Sequence, residues 1–197
     1  GAARDAIYAQ IEADPKLSIV KEDADAAALL ASFNVKVEEM QSLRVGEVTE
    51  NLCLSRIPGD KRSKICSPED TEKNGSDISM LVAHAFREMA KASYIAIQNG
   101  GGVRTDIAKG ALTMGDAYKL LPFANTLVEM DMTGAEIKTV LEEALDYTLQ
   151  PDGSTGAYPY SAGLRWHVKL AAPLGQRLSK MEFKGRDDEA WGPLQMD

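Results

Sequence analysis

The sequence predicts a mixed α/β domain. Segments with helical spacing of apolar residues alternate along the chain with short strand-like segments, instead of grouping by type. The clearest pair is the alternating run Thr126–Met132, followed by Thr133 and an apolar stripe at Ile137, Val140, Leu141 and Leu145. A chain of 197 residues with 44% hydrophobic content suits one domain, or one domain plus an appended segment, around a real core. The net charge of −8 argues against a general nucleic-acid binder, which needs a basic face. It leaves room for a small anionic ligand, because a few local arginines can dominate a pocket. No run of 18 apolar residues occurs, so no transmembrane helix is predicted. The opening Gly1-Ala2-Ala3-Arg4 carries no signal-peptide pattern and reads as the start of a cut or processed chain.

Taken in order, Ala6, Ile7 and Ile11 open a helix that Asp14-Pro15 stops. Residues 23–44 form the most regular helix: Asp23 or Asp25 caps it, and Ala27, Leu30, Phe33, Val37 and Met40 recur at three- and four-residue spacing. By spacing alone it reads as a core helix. Val45–Thr49 reads as a strand. Cys53 and Cys66, the only two cysteines, bound a loop that holds Arg56, Pro58-Gly59, Lys61, Arg62 and Lys64, the most basic piece of the chain. Two cysteines by themselves fit either a bridge or reduced thiols. Residues 67–76 read as a loop, and Ser76 or Asp77 caps a helix over 77–86. Tyr94–Ile97 is a candidate buried strand. Residues 106–110 read as a turn or short helix, and Thr113 caps a short helix to Leu120. Thr126–Met132 is expected to be a strand. Thr133, with Glu136 three residues on, opens a helix to about Thr148 through a capping box. A polar loop over 150–156 leads to strand character over 157–168 and again over 178–183.

Chemistry concentrates in two stretches. Asn99-Gly100-Gly101-Gly102-Val103-Arg104 follows a strand, and three consecutive glycines exceed what a simple turn requires. They permit close approach of the backbone to another group. Arg104 adds a permanent cation with a planar fork of donors, suited to phosphate or carboxylate. The bland alternative is a strand-end turn with a solvent-facing arginine. The glycine spacing matches neither a P-loop nor a dinucleotide fingerprint. Downstream, Pro122 fixes a corner that presents Phe123 and Asn125. Phe123 is either core or a platform for a planar base, with Asn125 at the base edge. No nucleophile–base set can be assembled, and the two histidines, His84 and His167, sit in no metal-ligand cluster.

Asn-Gly-Gly-Gly-Val-Arg (99–104), Gly-Asp-Ala-Tyr (115–118), Leu-Pro-Phe-Ala-Asn-Thr-Leu (121–127), Met-Thr-Gly-Ala-Glu-Ile (132–137) and Ser-Thr-Gly-Ala-Tyr-Pro (154–159) occur in register. Together they resemble the C-terminal, substrate-binding domain of the 5′-nucleotidase / UDP-sugar hydrolase family. The resemblance covers residues 45–197 and makes residues 1–44 an N-terminal segment with an interdomain linker helix. It implies packed sheets with outer helices, in α-β-β-α layers. It also implies that the domain binds a nucleotide or nucleotide-sugar for a missing N-terminal metallophosphatase domain, which would hold two divalent metal ions. Carried over residue by residue, Phe123 stacks the base and Asn125 supports base or ribose. Asn99, Gly101, Gly102 and Arg104 meet ribose and phosphate, with Arg62 as a further phosphate ligand. No catalytic residue, metal ligand or cofactor is expected in this chain, which alone should be inactive. The family lives in the periplasm, outside the cell or on its surface, and this favours a Cys53–Cys66 disulfide.

Departures from the family pattern are equally specific. A second family arginine falls on Cys66, and Ser79-Met80 and His84 stand where the family has Gly-Asn and Asp. The second aromatic and its Gly-Gly-Asp-Gly motif are not in this sequence. The motifs fit relatives acting on AMP, UDP-sugars, cyclic nucleotides or sulfur-oxidation substrates alike. The competing readings are a non-catalytic structural or interaction module without a nucleotide ligand and a metal-free enzyme. If the nucleotide reading holds, Phe123 and Arg104 should converge on one concave surface without touching.

Overall fold

The structure, a computed structural model, describes residues 2–197. It divides into a unit that ends at Leu43 and a unit that runs from Arg44 to Asp197. In the first, α1 spans Ala2–Ala13 and α2 spans Ala24–Ser42. The Asp23 carboxylate accepts from Ala26 N at 2.8 Å, which satisfies one of the free amides of the first turn. No residue of α2 is buried, and Leu30, Phe33 and Met40 are 58–60% exposed. The spacing therefore gives the helix correctly but not a core: among the described residues its apolar stripe covers nothing.

The second unit contains β1 (Arg44–Val48), α3 (Pro68–Glu72), α4 (Asp77–Met89), β2 (Ala96–Asn99), β3 (Gly110–Thr113) and α5 (Met114–Leu120). It continues with α6 (Gly134–Leu149), β4 (Pro159–Ala162), β5 (Leu164–Val168), β6 (Leu178–Phe183) and β7 (Gly192–Pro193). Single 3-10 turns cover Gly100–Gly102 and Thr155–Ala157. The mixed α/β expectation holds. All ladders are antiparallel and form three small sheets, β1-β3, β2-β4 and β5-β6-β7. One core joins α6 to β4–β6 through Ile137, Leu141, Leu145, Tyr158, Tyr160, Leu164, Leu178 and Met181. Another joins α4 to β1 and the segment after the glycines through Val48, Leu54, Ile78, Val82, Val103, Ile107 and Leu120.

Helix starts follow the sequence closely. Thr133 and Glu136 form the capping box of α6, and Thr113 with Asp116 forms that of α5. Residues 67–76 are not all loop, because α3 forms there with Pro68 at its start. Proline in that position is preorganised and loses no hydrogen bond. The Asp70 carboxylate also accepts from Ser67 N at 2.7 Å. The stretch 157–168 is divided into β4 and β5 at Gly163, whose φ is +77°.

The expected strand over Thr126–Met132 is corrected. These residues lie in no ladder, and Val128 and Met130 are 75% and 69% exposed. Alternation suits a strand, but a strand forms only where a neighbouring edge lies within hydrogen-bonding reach. Here a groove of about 860 Å³ separates residues 127–134 from residues 92–97. The Ser93 hydroxyl donates to Glu129 Oε1 across it at 2.8 Å.

Candidate functional site

The three glycines end β2 in a turn that lies against the turn at Thr155–Ala157. Gly100 N donates to Tyr158 O at 2.8 Å, and the Asn99 side-chain amide donates to Gly156 O at 3.2 Å. A Cβ on Gly101 would stand 3.0 Å from Gly156 Cα, and one on Gly156 would stand 3.2 Å from Gly101 Cα. The group that the glycines allow to approach is thus another backbone. Asn99 serves this apposition, holding the second turn against the first. Gly102 is buried, and a Cβ there would clash with the Gln98 amide, so it presents no surface to a ligand in this conformation. Gly101 remains partly exposed.

Arg104 leaves this turn into solvent. Its Nη1 donates to Gly101 O at 3.1 Å, and its backbone N donates to Leu120 O at 3.0 Å, beside the Pro122 corner. That corner presents Phe123, which is 51% exposed and therefore not core. The Arg104 guanidinium carbon lies 5.6 Å from the centre of the Phe123 ring. The two side chains converge on one surface, but the expectation that they do so without touching is corrected. A guanidinium is attracted by the negative face of an aromatic ring, by about 0.5–1 kcal/mol at exposed sites. Asn125 is exposed next to the ring, its backbone N donating to Phe123 O at 2.8 Å.

The basic loop reaches the same place. A Cys53–Cys66 disulfide closes it, with the Cα atoms 5.9 Å apart. Asp106 accepts from Leu54 N at 2.6 Å and from Lys64 N at 2.7 Å, so one carboxylate ties both ends of the loop. The Tyr160 hydroxyl donates to Ser55 O at 2.7 Å and accepts from Ser76 N at 3.2 Å. Arg62 points at the second turn: its Nη2 is 3.5 Å from Thr155 Oγ1 and its Nε 3.5 Å from Asp60 Oδ2.

Arg56 also belongs here, and sequence reasoning did not single it out. Its Nε is shut off from solvent with no hydrogen-bond partner. Burial lowers its proton affinity, and the neighbouring charges of Arg62 and Arg104 lower it further, against an opposing contribution from Asp60. The Cys53–Cys66 interval marks the loop, but nothing in the spacing shows which of its four cations turns inward.

Taken together, the site has three guanidinium groups and one carboxylate around two apposed turns, with a half-exposed ring at the rim. That arrangement suits an anion joined to a planar apolar group. The groove beside residues 127–134 is lined by none of the expected substrate-binding residues. Among the described residues, no three His, Cys, Asp or Glu side chains are grouped as metal ligands, and His84 and His167 are exposed and apart in sequence. No described helix is long and apolar enough to cross a membrane.

Residues 44–197 match the family model described as "5'-nucleotidase, C-terminal domain". The chain is similar to the NAD 5'-nucleotidase of Haemophilus influenzae, with 34% identity over 90% of this chain and 29% of that protein. It is similar to a probable 5'-nucleotidase of Treponema pallidum, with 32% identity over 98% of this chain and 32% of that protein. Among solved structures, the Haemophilus influenzae NAD nucleotidase superposes with a TM-score of 0.69 at 30% identity, covering 100% of this chain and 34% of that one. The 5'-nucleotidase precursor of Thermus thermophilus gives a TM-score of 0.65 at 29% identity, covering 90% of this chain and 32% of that one. The chain thus spans about a third of the length of the relatives it matches. With its glycine turn, its Phe123 corner and a family match over the whole second unit, the chain belongs to the 5'-nucleotidase C-terminal domain family.

Proposed function

We propose that this domain binds a nucleotide or nucleotide-sugar and holds its phosphate for a metallophosphatase domain, within a periplasmic, secreted or cell-surface phosphohydrolase. The observation that carries the reading is the Arg104–Phe123 pair, a permanent cation and a 51%-exposed ring side by side on one surface. The base stacks on Phe123, Asn125 meets its edge or the ribose, and Arg104 and Arg62 engage the phosphate. The Gly101 turn supplies the floor, and Asn99 keeps that floor in place. The two divalent metal ions belong to the partner domain, and since no residues here fit such ions, no chemical step is assigned to this chain. The names of the relatives, a NAD 5'-nucleotidase and a probable 5'-nucleotidase, support the substrate class.

The test is a titration of the chain with AMP, a UDP-sugar and adenosine, followed by Trp166 and Trp191 fluorescence and by calorimetry. Saturable binding of the nucleotides is expected, with no phosphate release on adding divalent metal. Failure of every nucleotide to bind would overturn this reading in favour of a structural or interaction module.

A further inference from the structure

Arg56 is held firmly and has nothing to hold. The disulfide, the Asp106 carboxylate and the Tyr160 hydroxyl all fix the backbone around it. Ser55, just before it, is fully buried and donates to Asp60 Oδ1 at 3.0 Å. The Arg56 backbone packs on the first turn, since a Cβ on Gly100 would lie 3.5 Å from Arg56 Cα. Its guanidinium reaches the second turn, where a Cβ on Gly156 would lie 3.7 Å from Arg56 Nη1. The side chain therefore spans the seam between the two turns.

Its two neighbours are differently placed. Arg62 faces Asp60 and Thr155, and Arg104 faces Gly101 O and the Phe123 ring. Arg56 forms no ion pair among the described residues, and its Nε, though closed to water, has no acceptor. A buried donor without an acceptor is destabilising, and three cations against one carboxylate repel one another. An anion entering the seam would relieve both.

Resting on the nucleotide reading above, we propose that Arg56 is a third binding arginine, which takes a phosphoryl oxyanion of the nucleotide in the seam between Gly100–Gly102 and Thr155–Ala157. A planar fork of donors fits two oxygens of one phosphoryl group, which a point charge cannot match. Burial and the like charges of Arg62 and Arg104 support this, since they leave the local positive potential uncompensated.

The experiment titrates the 197-residue chain with inorganic phosphate, AMP and adenosine, for wild type, Arg56→Gln and Arg56→Lys. Arg56→Gln is expected to weaken AMP and phosphate binding by about tenfold or more and to leave adenosine binding within about twofold, in line with loss of a charged hydrogen-bonded partner. Arg56→Lys should recover only part of that loss. If Arg56→Gln does not fold, the Arg56 Nε–H resonance of the wild type is followed instead, and it must shift on adding phosphate. AMP binding unchanged by Arg56→Gln, or an Nε–H resonance indifferent to phosphate, overturns this inference and leaves the nucleotide reading intact. Phosphate binding that needs Arg56, without binding of AMP or adenosine, overturns the nucleotide reading and keeps the anion site. If none of the probes binds to the wild type, both are overturned.

Discussion

The Arg104 guanidinium carbon and the centre of the Phe123 ring are 5.6 Å apart. A base arriving at that ring must therefore use its open side or push the guanidinium away towards the phosphate.

Phe123→Ala should weaken nucleotide binding by about 1–3 kcal/mol, the usual worth of one stacked base. The ring is 51% exposed, so the loss of stability should be well below the roughly 3–5 kcal/mol of a core phenylalanine. Urea denaturation and calorimetry on the same variant separate the two. A large fall in stability with unchanged affinity would make Phe123 a packing residue.

Arg104→Ala should weaken nucleotides by about tenfold or more and nucleosides little, because the partner of the cation is the phosphate. Since the guanidinium rests on Phe123, nucleoside affinity should hold or rise slightly as the ring is uncovered. An equal loss for nucleoside and nucleotide would remove Arg104 from the phosphate site.

Alkaline pH should unfold the domain through its buried tyrosines. Burial pushes Tyr158 from 10.0 up to about 12, and it raises Tyr160 strongly, helped by the charges that Tyr158 and Asp60 acquire or carry. The folded protein thus keeps protons that the unfolded chain releases, and stability falls as pH rises from about 10 towards 12. For Tyr158 alone the fall is about 2–3 kcal/mol over that interval. Tyrosinate absorbance from this pair should appear together with loss of far-UV signal. Ionisation of both in a fully folded protein would contradict the burial.

Glu142 is 2% exposed on α6 and accepts from Gly175 N at 2.9 Å, Arg177 N at 3.3 Å and Leu178 N at 2.7 Å. Glu142→Gln turns a donor towards one of these amides and should lower stability by about 1–3 kcal/mol. Nucleotide affinity should be unaffected. An unchanged urea midpoint would show that the start of β6 does not depend on this carboxylate.

What the sequence reveals divides by distance along the chain. Asp23, Thr113 and the Thr133–Glu136 box act on amides within three residues, so their roles are visible in spacing alone. The glycine turn and the Pro122 corner are equally local, and both lie where the motifs put them. The ties that shape the site are not local. Asp106 meets Leu54 across 52 residues and Tyr160 meets Ser55 across 105, and no periodicity marks either. Thr126–Met132 shows the converse: its alternation is plain, but pairing depends on a neighbouring edge that alternation cannot specify. Arg56 was hidden among other cations of the same loop, because inward direction is a property of the folded backbone.

The Asp106 carboxylate bears on how the disulfide is made. It gathers Leu54 N, beside Cys53, and Lys64 N, two residues from Cys66, before any covalent link is required. The two thiols of a folded, still reduced chain would then sit at a high effective concentration, and oxidation would seal a loop already shaped. Asp106→Asn should accordingly slow bridge formation from reduced protein in a glutathione buffer more than it lowers the stability of the oxidised domain. Native order of events would run from carboxylate clip to thiolate exchange, so the domain could mature in an oxidising compartment without an isomerase to choose its partner sulfurs.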